Sequence, residues 1–367
     1  MYALKIILGQ PVRFILTIGG IALCIMLMLF LMSIYKGVAD GSLEYIRASN
    51  ADLWVLQQHA NNILRSTSIL TDNKKQHIKK LPGVESVSSV LFILATLELP
   101  EGPATVYLTG FDPETGIGGP PELDQGSHLR DHDQIIIDRS FAQKHHIHVG
   151  DRLPVKKDTL TVAGISNGTN MFVLQYAFIS LEKAYSLIGF PNIASCYQVK
   201  ATPGTDPREL AERIRTEVEG LNVFDDPSFL ENNIREMESG LLPLLFTVAV
   251  IGAVVLVAIL SLILSIQVLE RRNEFAILKA IGSPPSFIPS VVLKQALIYS
   301  GCGMILALIL FFPMLRLVEM VSPEVAASSS LIQILAVSAG VGMISLLSSI
   351  LPNHRLRRIY PLEVFMK

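Results

Sequence analysis

Residues 269–290 read LERRNEFAILKAIGSPPSFIPS and lie between two long apolar runs. From Glu270 to Ile281 the residues are good helix formers, Gly282 supplies a C-terminal stop, and Pro284 and Pro285 block continuation. Apolar Phe275, Ile277, Leu278 and Ile281 are interleaved with charged Glu270, Arg271, Arg272, Glu274 and Lys279. That is the pattern of a short amphipathic helix. Such a helix either lies on a membrane face or docks into a groove of a soluble partner.

The apolar runs on either side belong to a set of four. A membrane-crossing helix needs about 20 predominantly apolar residues for a hydrocarbon core about 30 Å thick. Residues 14–35, 241–269, 287–315 and 331–351 meet that test. The whole chain agrees with it: of 367 residues 50% are hydrophobic and 17% charged, too apolar for an ordinary soluble enzyme. Run 14–35 exceeds the length of a signal-peptide core and reads as an uncleaved anchor.

Basic residues beside a span are retained on the cytoplasmic side. Lys5 and Arg13 precede the first span; Arg271, Arg272 and Lys279 follow the second; Arg355, Arg357 and Arg358 follow the fourth. The loop after the third span offers Arg316 against Glu319 and Glu324. Both termini are therefore expected in the cytoplasm, and residues 36–240 outside. Lys294, about two turns into the third span, reads as a lysine snorkelling to the cytoplasmic interface.

The expected fold class is an α-helical membrane protein with four transmembrane helices and an α+β extracytoplasmic domain inserted between helices 1 and 2. Within residues 36–240 the pattern changes to short β-rich runs broken by Gly and Pro. Strand 51–56, a helix over 71–80 capped by Thr71 or Asp72, and one or two strands over 84–99 make one α/β half, about 36–104. Strand 195–201, helix 206–219 and strand 221–224 make the other, about 194–227. Together the halves form one split sheet, and a β-rich insertion of about 105–193 separates them. Residues 228–239 read as a helix leading into the second span. Residues 1–35 and 241–367 hold the membrane helices, with the cytoplasmic loop at 270–286.

Sites for chemistry are sparse. The chain has no GxxxxGK[ST] run, no GxSxG and no HExxH, so no catalytic residue and no bound cofactor are expected. A net charge of −2 without a basic stripe argues against nucleic acid. Cys24, Cys196 and Cys302 form no CxxC and read as packing residues. His128, His132, His145, His146 and His148 read as polar surface, so no metal site is expected. Met28, Met32 and Tyr35, at the outer end of the first span with Met26, read as helix packing or as the wall of a greasy substrate path.

Glu274, Leu278, Lys279, Ala280 and Gly282 match an E-x-x-x-L-+-A-x-G run. In this the chain resembles the permease family typified by the macrolide exporter MacB and the cell-division protein FtsX, which carries that run between its second and third spans. The amphipathic lead ALKIILGQPVRFILTIGGIAL, the large domain after span one, and the tail Arg355, Arg357, Arg358, Pro361 and Glu363 extend the likeness over the whole chain. The resemblance implies a stand-alone permease of the bacterial inner membrane, without a fused ATPase. It would work as a homodimer with a separate ABC ATPase dimer that carries ATP and Mg, and with a periplasmic adaptor as a further candidate partner. The implied coupling residues are Glu270, Arg271, Arg272, Glu274, Phe275, Leu278, Lys279 and Gly282. The implied function is ATP-driven extrusion or export of a lipid, hydrophobic small molecule or peptide; the alternative is an FtsX-like scaffold that activates an extracytoplasmic hydrolase without transport.

Overall fold

In hydrocarbon every backbone polar group must be satisfied within the protein, and a helix does this locally. The computed structural model describes residues 11–63, 65–171, 174–325 and 330–357. Among them, four helices are long and apolar enough to cross a membrane: Pro11–Arg47, Pro243–Glu270, Phe287–Val321 and Leu331–His354. The long helical elements are α1 (Pro11–Arg47), α7 (Leu241–Glu270), α9 (Phe287–Val321) and α10 (Leu331–Ser348), with α8 (Arg272–Ala280) between α7 and α9 and α11 (Ile350–Arg357) after α10. The chain divides into two units. One holds Met1–Lys36, Pro243–Leu317 and Ala327–Lys367; the other holds Gly37–Leu242 and Val318–Ala326.

The helical unit is held by one apolar cluster that includes Ile21 and Ile25 of α1, Leu260 and Leu264 of α7, Val292 and Tyr299 of α9, and Val341 of α10. Small and hydroxyl residues bring the helices close, as is common where lipid removes the hydrophobic drive for association. A Cβ at Gly303 of α9 would stand 2.5 Å from Cγ2 of Ile21. Ser345 donates a 2.7 Å hydrogen bond to Ser300 Oγ, joining α10 to α9. On α7, a Cβ added at Gly252 would stand 3.5 Å from Cγ of Met28, and Ser261 and Ser265 are buried.

The other unit is built on ten strands: β1 (Leu53–Gln57), β3 (Val84–Leu99), β4 (Gly102–Phe111), β5 (Glu122–Gly126), β6 (Gln134–Asp138), β7 (Arg152–Val155), β8 (Asp158–Asn167), β9 (Tyr176–Ser180), β11 (Cys196–Ala201) and β12 (Leu221–Asp225). A two-stranded ribbon, β2 (Leu70–Thr71) with β10 (Ile193–Ala194), stands beside them. Helices α2 (Asp72–Lys79), α3 (Arg139–Lys144), α4 (Leu181–Ile188), α5 (Pro207–Glu217) and α6 (Asp226–Ser239) complete the unit.

Strand β3 belongs to two structures at once. Its first half pairs with β11, ending at Val90↔Cys196, in the antiparallel order β12–β1–β11–β3. Its second half pairs with β4 from Leu91↔Gly110 onward. The sequence places the change of subdomain near residue 104; the pairing changes instead between Val90 and Leu91, because one unbroken strand crosses the seam. From there β4–β9–β6–β8–β7 returns to β3 through Leu97↔Val155, closing a six-stranded barrel. Its interior holds Leu97, Leu108, Ile135, Ile137, Val155, Leu160 and Ile179. A closed barrel leaves no free edge to pair with another chain.

Strands alternate side chains between faces. On β1, Leu53 and Val55 pack with Ile78 of α2 and with Leu210 and Ile214 of α5, while Trp54 and Leu56 pack with Tyr45 and Ile46 at the end of α1 and with Phe229 of α6. Both faces are therefore covered. Asp138, Ser180 and Asp206 cap α3, α4 and α5 by accepting from backbone N–H groups. Thr71 holds the N-cap position of α2 in an extended conformation, but its side chain makes no capping bond.

Candidate functional site

The helix expected at residues 270–281 forms as α8 and ends by a device its sequence announces. Gly282 adopts a left-handed φ of +93°, its N–H reaches Lys279 O at 3.1 Å, and the Ser283 N–H reaches Leu278 O at 3.0 Å. Those two bonds make a Schellman stop, which glycine adopts without Cβ strain.

The expected coupling residues divide between two faces of α8. Phe275 and Ala276 are buried, and Phe275 joins the same apolar cluster as α1, α7, α9 and α10, with Leu278 packed partly against it. Phe275 thus anchors the helix inward, its ring buried among side chains of the membrane helices. Arg272, Glu274, Ile277 and Ile281 are exposed, Ile281 at 79%. Arg271 holds Glu274 at 3.1 Å. Glu270 accepts from Arg13 at 2.6 Å, tying the end of α7 to the start of α1.

Lys279 lines a cavity of about 330 Å³ with Ser283, Pro284, Pro285, Ile288 and Asn353. Ser283 Oγ and Asn353 Oδ1 are buried without a hydrogen-bond partner among the described residues. Sequence reasoning had no signal for Asn353, which reaches this place from α11. Lys5, Arg358, Pro361, Glu363 and the side chains of Arg355 and Arg357 lie outside the described residues.

Met28 and Met32 pack partly against the bundle core, and Met32 O accepts from Gln333 Nε2 of α10 at 3.1 Å. Tyr35 is half-buried. Lys294 is exposed on α9. The histidines do not converge: among the described residues, no group of three His, Cys, Asp or Glu side chains is arranged to hold a metal ion. His146 has a left-handed φ of 52° just after α3. Cys196 is buried in β11, where burial pushes its thiol well above the ordinary range.

Four further contacts wire the β-rich unit. The ring of Phe229 in α6 stacks on Trp54 with centroids 4.5 Å apart, and Trp54 Nε1 donates to Asp226 at 3.2 Å. Segment 318–326, at the outer end of α9, is gripped by Lys144, which pairs with Glu324, and by Asn170 Nδ2, which donates to Glu324 O at 2.9 Å.

Comparisons with known proteins settle the class. Residues 14–217 match the model of the MacB-like periplasmic core domain, and residues 246–361 match the FtsX-like permease C-terminal model. The chain belongs to the MacB/FtsX-type ABC transporter permeases. It is 25% identical over 313 residues to an uncharacterized ABC transporter permease of Mycobacterium tuberculosis (strain CDC 1551 / Oshkosh), covering 83% of this chain and 84% of that one. An uncharacterized ABC transporter permease of Mycobacterium bovis (strain ATCC BAA-935 / AF2122/97) is 25% identical over 353 residues, covering 92% and 95%. Among solved structures, the periplasmic region of MacB from Actinobacillus actinomycetemcomitans matches at 13% identity and TM-score 0.40, covering 51% of this chain and 95% of that one. The extracellular domain of the noncanonic ABC-type transporter YknZ from Gram-positive bacteria matches at 14% and 0.38, covering 48% and 100%. With its four apolar helices, the chain is a membrane permease bearing a large extracytoplasmic domain.

Proposed function

We propose that this permease receives the stroke of an ABC ATPase dimer through α8 and relays it to the extracytoplasmic domain, extruding or exporting a lipid, hydrophobic small molecule or peptide. The observation that carries this reading is the two-sided character of α8. Phe275 fixes it in the bundle core while Glu274, Ile277 and Ile281 are presented outward. A helix bound to a close-packed core on one side and to a partner on the other passes displacement from partner to core, because packed interiors resist compression.

The same reading places both termini and α8 in the cytoplasm, in line with the basic flanks. ATP and Mg belong to the partner, and this chain contributes no cofactor. Two permease copies complete the assembly, and a periplasmic adaptor is a candidate further partner. Export draws support from the apolar character of the outer end of α1, including Met28 and Met32.

The test is co-purification with the ATPase together with cargo-dependent hydrolysis. Ile277→Asp with Ile281→Asp is expected to abolish co-purification while membrane insertion is unchanged; undiminished co-purification would overturn the reading. Hydrolysis that responds to an extracytoplasmic hydrolase and to no cargo would replace transport with the signalling alternative.

A further inference from the structure

The seam where β3 passes from the sheet to the barrel encloses a cavity of about 430 Å³, within the range of small-molecule pockets. Its walls come from residues 62–63 and 66–69, the stretch Leu91–Leu94 of β3, Tyr107 of β4 and the segment 193–195. Among the described residues no charged side chain lines it.

Several of its polar groups hydrogen-bond within the protein. Tyr107 OH donates to Ile63 O at 3.1 Å, and burial pushes that hydroxyl up to about 12, so it stays a neutral donor. Ser195 Oγ accepts from Phe92 N at 3.0 Å, and Ser68 Oγ accepts from Gln57 N at 2.9 Å. Asn62 Oδ1 accepts from the N–H groups of Arg65 and Ser66 at 2.8 and 3.1 Å. Most of the lining side chains are aliphatic or aromatic, and two of them, Ile69 and Leu94, are 58% and 62% exposed. Large aliphatic groups left in water beside a cavity favour an apolar ligand that covers them.

We infer that this seam cavity is a binding site for a single acyl chain, entered past Ile69 and Leu94, with the charged or polar end of the ligand left outside. The site refines the cargo class of the proposed transport function and rests on that reading. A lipid or an acylated molecule shares the same chemistry here, since the walls meet only the methylene chain.

The test uses the full chain in nanodiscs, without ATPase and without nucleotide, so its outcome is independent of coupling through α8. Two probes carry the same diazirine-bearing sixteen-carbon chain, one a free fatty acid and the other a lysophosphatidylcholine, and labelled residues are mapped by mass spectrometry. Labelling of residues 62–69 and 91–94 is expected, competed by unlabelled palmitate. Leu94→Glu and Ile69→Glu, both at exposed positions, should reduce it at least five-fold, and Leu94→Met should preserve it. Labelling by both probes means the chain alone is recognised; labelling by one assigns the headgroup source. Label confined to the membrane helices, label in the seam indifferent to Leu94→Glu, or competition by a hydrophobic peptide but not by palmitate would overturn the proposal.

Discussion

Lys144 Nζ stands 2.7 and 2.6 Å from the two carboxylate oxygens of Glu324, joining the end of α3 to the segment after α9. The two side chains are separated by 180 positions in sequence. Each is partly exposed, so the pair itself contributes only about 0.2–1 kcal/mol. Its importance is geometric, since it holds segment 318–326 on the same unit as the barrel. Lys144→Glu and Glu324→Lys are each expected to increase proteolysis of segment 318–326, and the double reversal to restore protection. Equal protection in all four forms would remove the pair from the account.

Replacement of Phe275 separates anchoring from docking. Phe275→Ala empties a buried aromatic site and should destabilise the helical unit by about 3–5 kcal/mol. Ile281→Asp changes a side chain that is 79% exposed and should leave stability within about 0.5 kcal/mol. Thermal unfolding in nanodiscs distinguishes the two, and similar losses in both would contradict the two-sided placement.

Gly303 has no room for a side chain beside Ile21. Gly303→Val should cost about 1–3 kcal/mol through overpacking. Ile21→Ala costs stability alone but should partly relieve Gly303→Val in the double variant. A strictly additive double variant would mean that α1 and α9 are not in this register.

Adjacent carboxylates at the start of α6 respond to acid in opposite ways. Asp225 is partly buried, which works against its charge, yet hydrogen bonds from Ser228 and Arg208 hold its carboxyl below the usual range. Its stabilisation is present above the unfolded carboxylate value of about 3.9 and is lost as pH falls through the lower folded value. Burial first, then the charges of Asp225 and Asp52, raises Asp226 against the hydrogen bond from Trp54. That raised group favours folding below about 3.9, and its contribution fades as pH rises through the higher folded value. Asp225→Asn should flatten the acid loss of stability, and Asp226→Asn should steepen it, as followed by Trp54 fluorescence between about pH 3 and 6. Parallel shifts would contradict the opposite environments.

The four apolar helices were legible because a hydrocarbon core demands uninterrupted length, and runs such as 241–269 have no other use. Gly282 announced the stop of α8 because a left-handed stop favours glycine. Strand pairing was harder to read. Nothing local in VESVSSVLFILATLEL marks the change of partner between Val90 and Leu91, since it depends on where β11 ends and β4 begins. The closure of the barrel by β7 rests on Leu97↔Val155, a contact between residues far apart in the chain. On α8, the sequence supplied both apolar and charged positions, but which apolar residue faces the bundle depends on neighbours from four other helices. Phe275 is the one the bundle buries, while Ile277 and Ile281 stay exposed.

The side of the membrane on which α8 lies tests the central claim most directly. Ile281→Cys, at the exposed end of that helix, should react with a membrane-impermeant maleimide in inverted vesicles, be shielded there by the bound ATPase, and stay unlabelled in intact cells. Labelling from outside intact cells would place α8 away from any source of ATP and contradict the account.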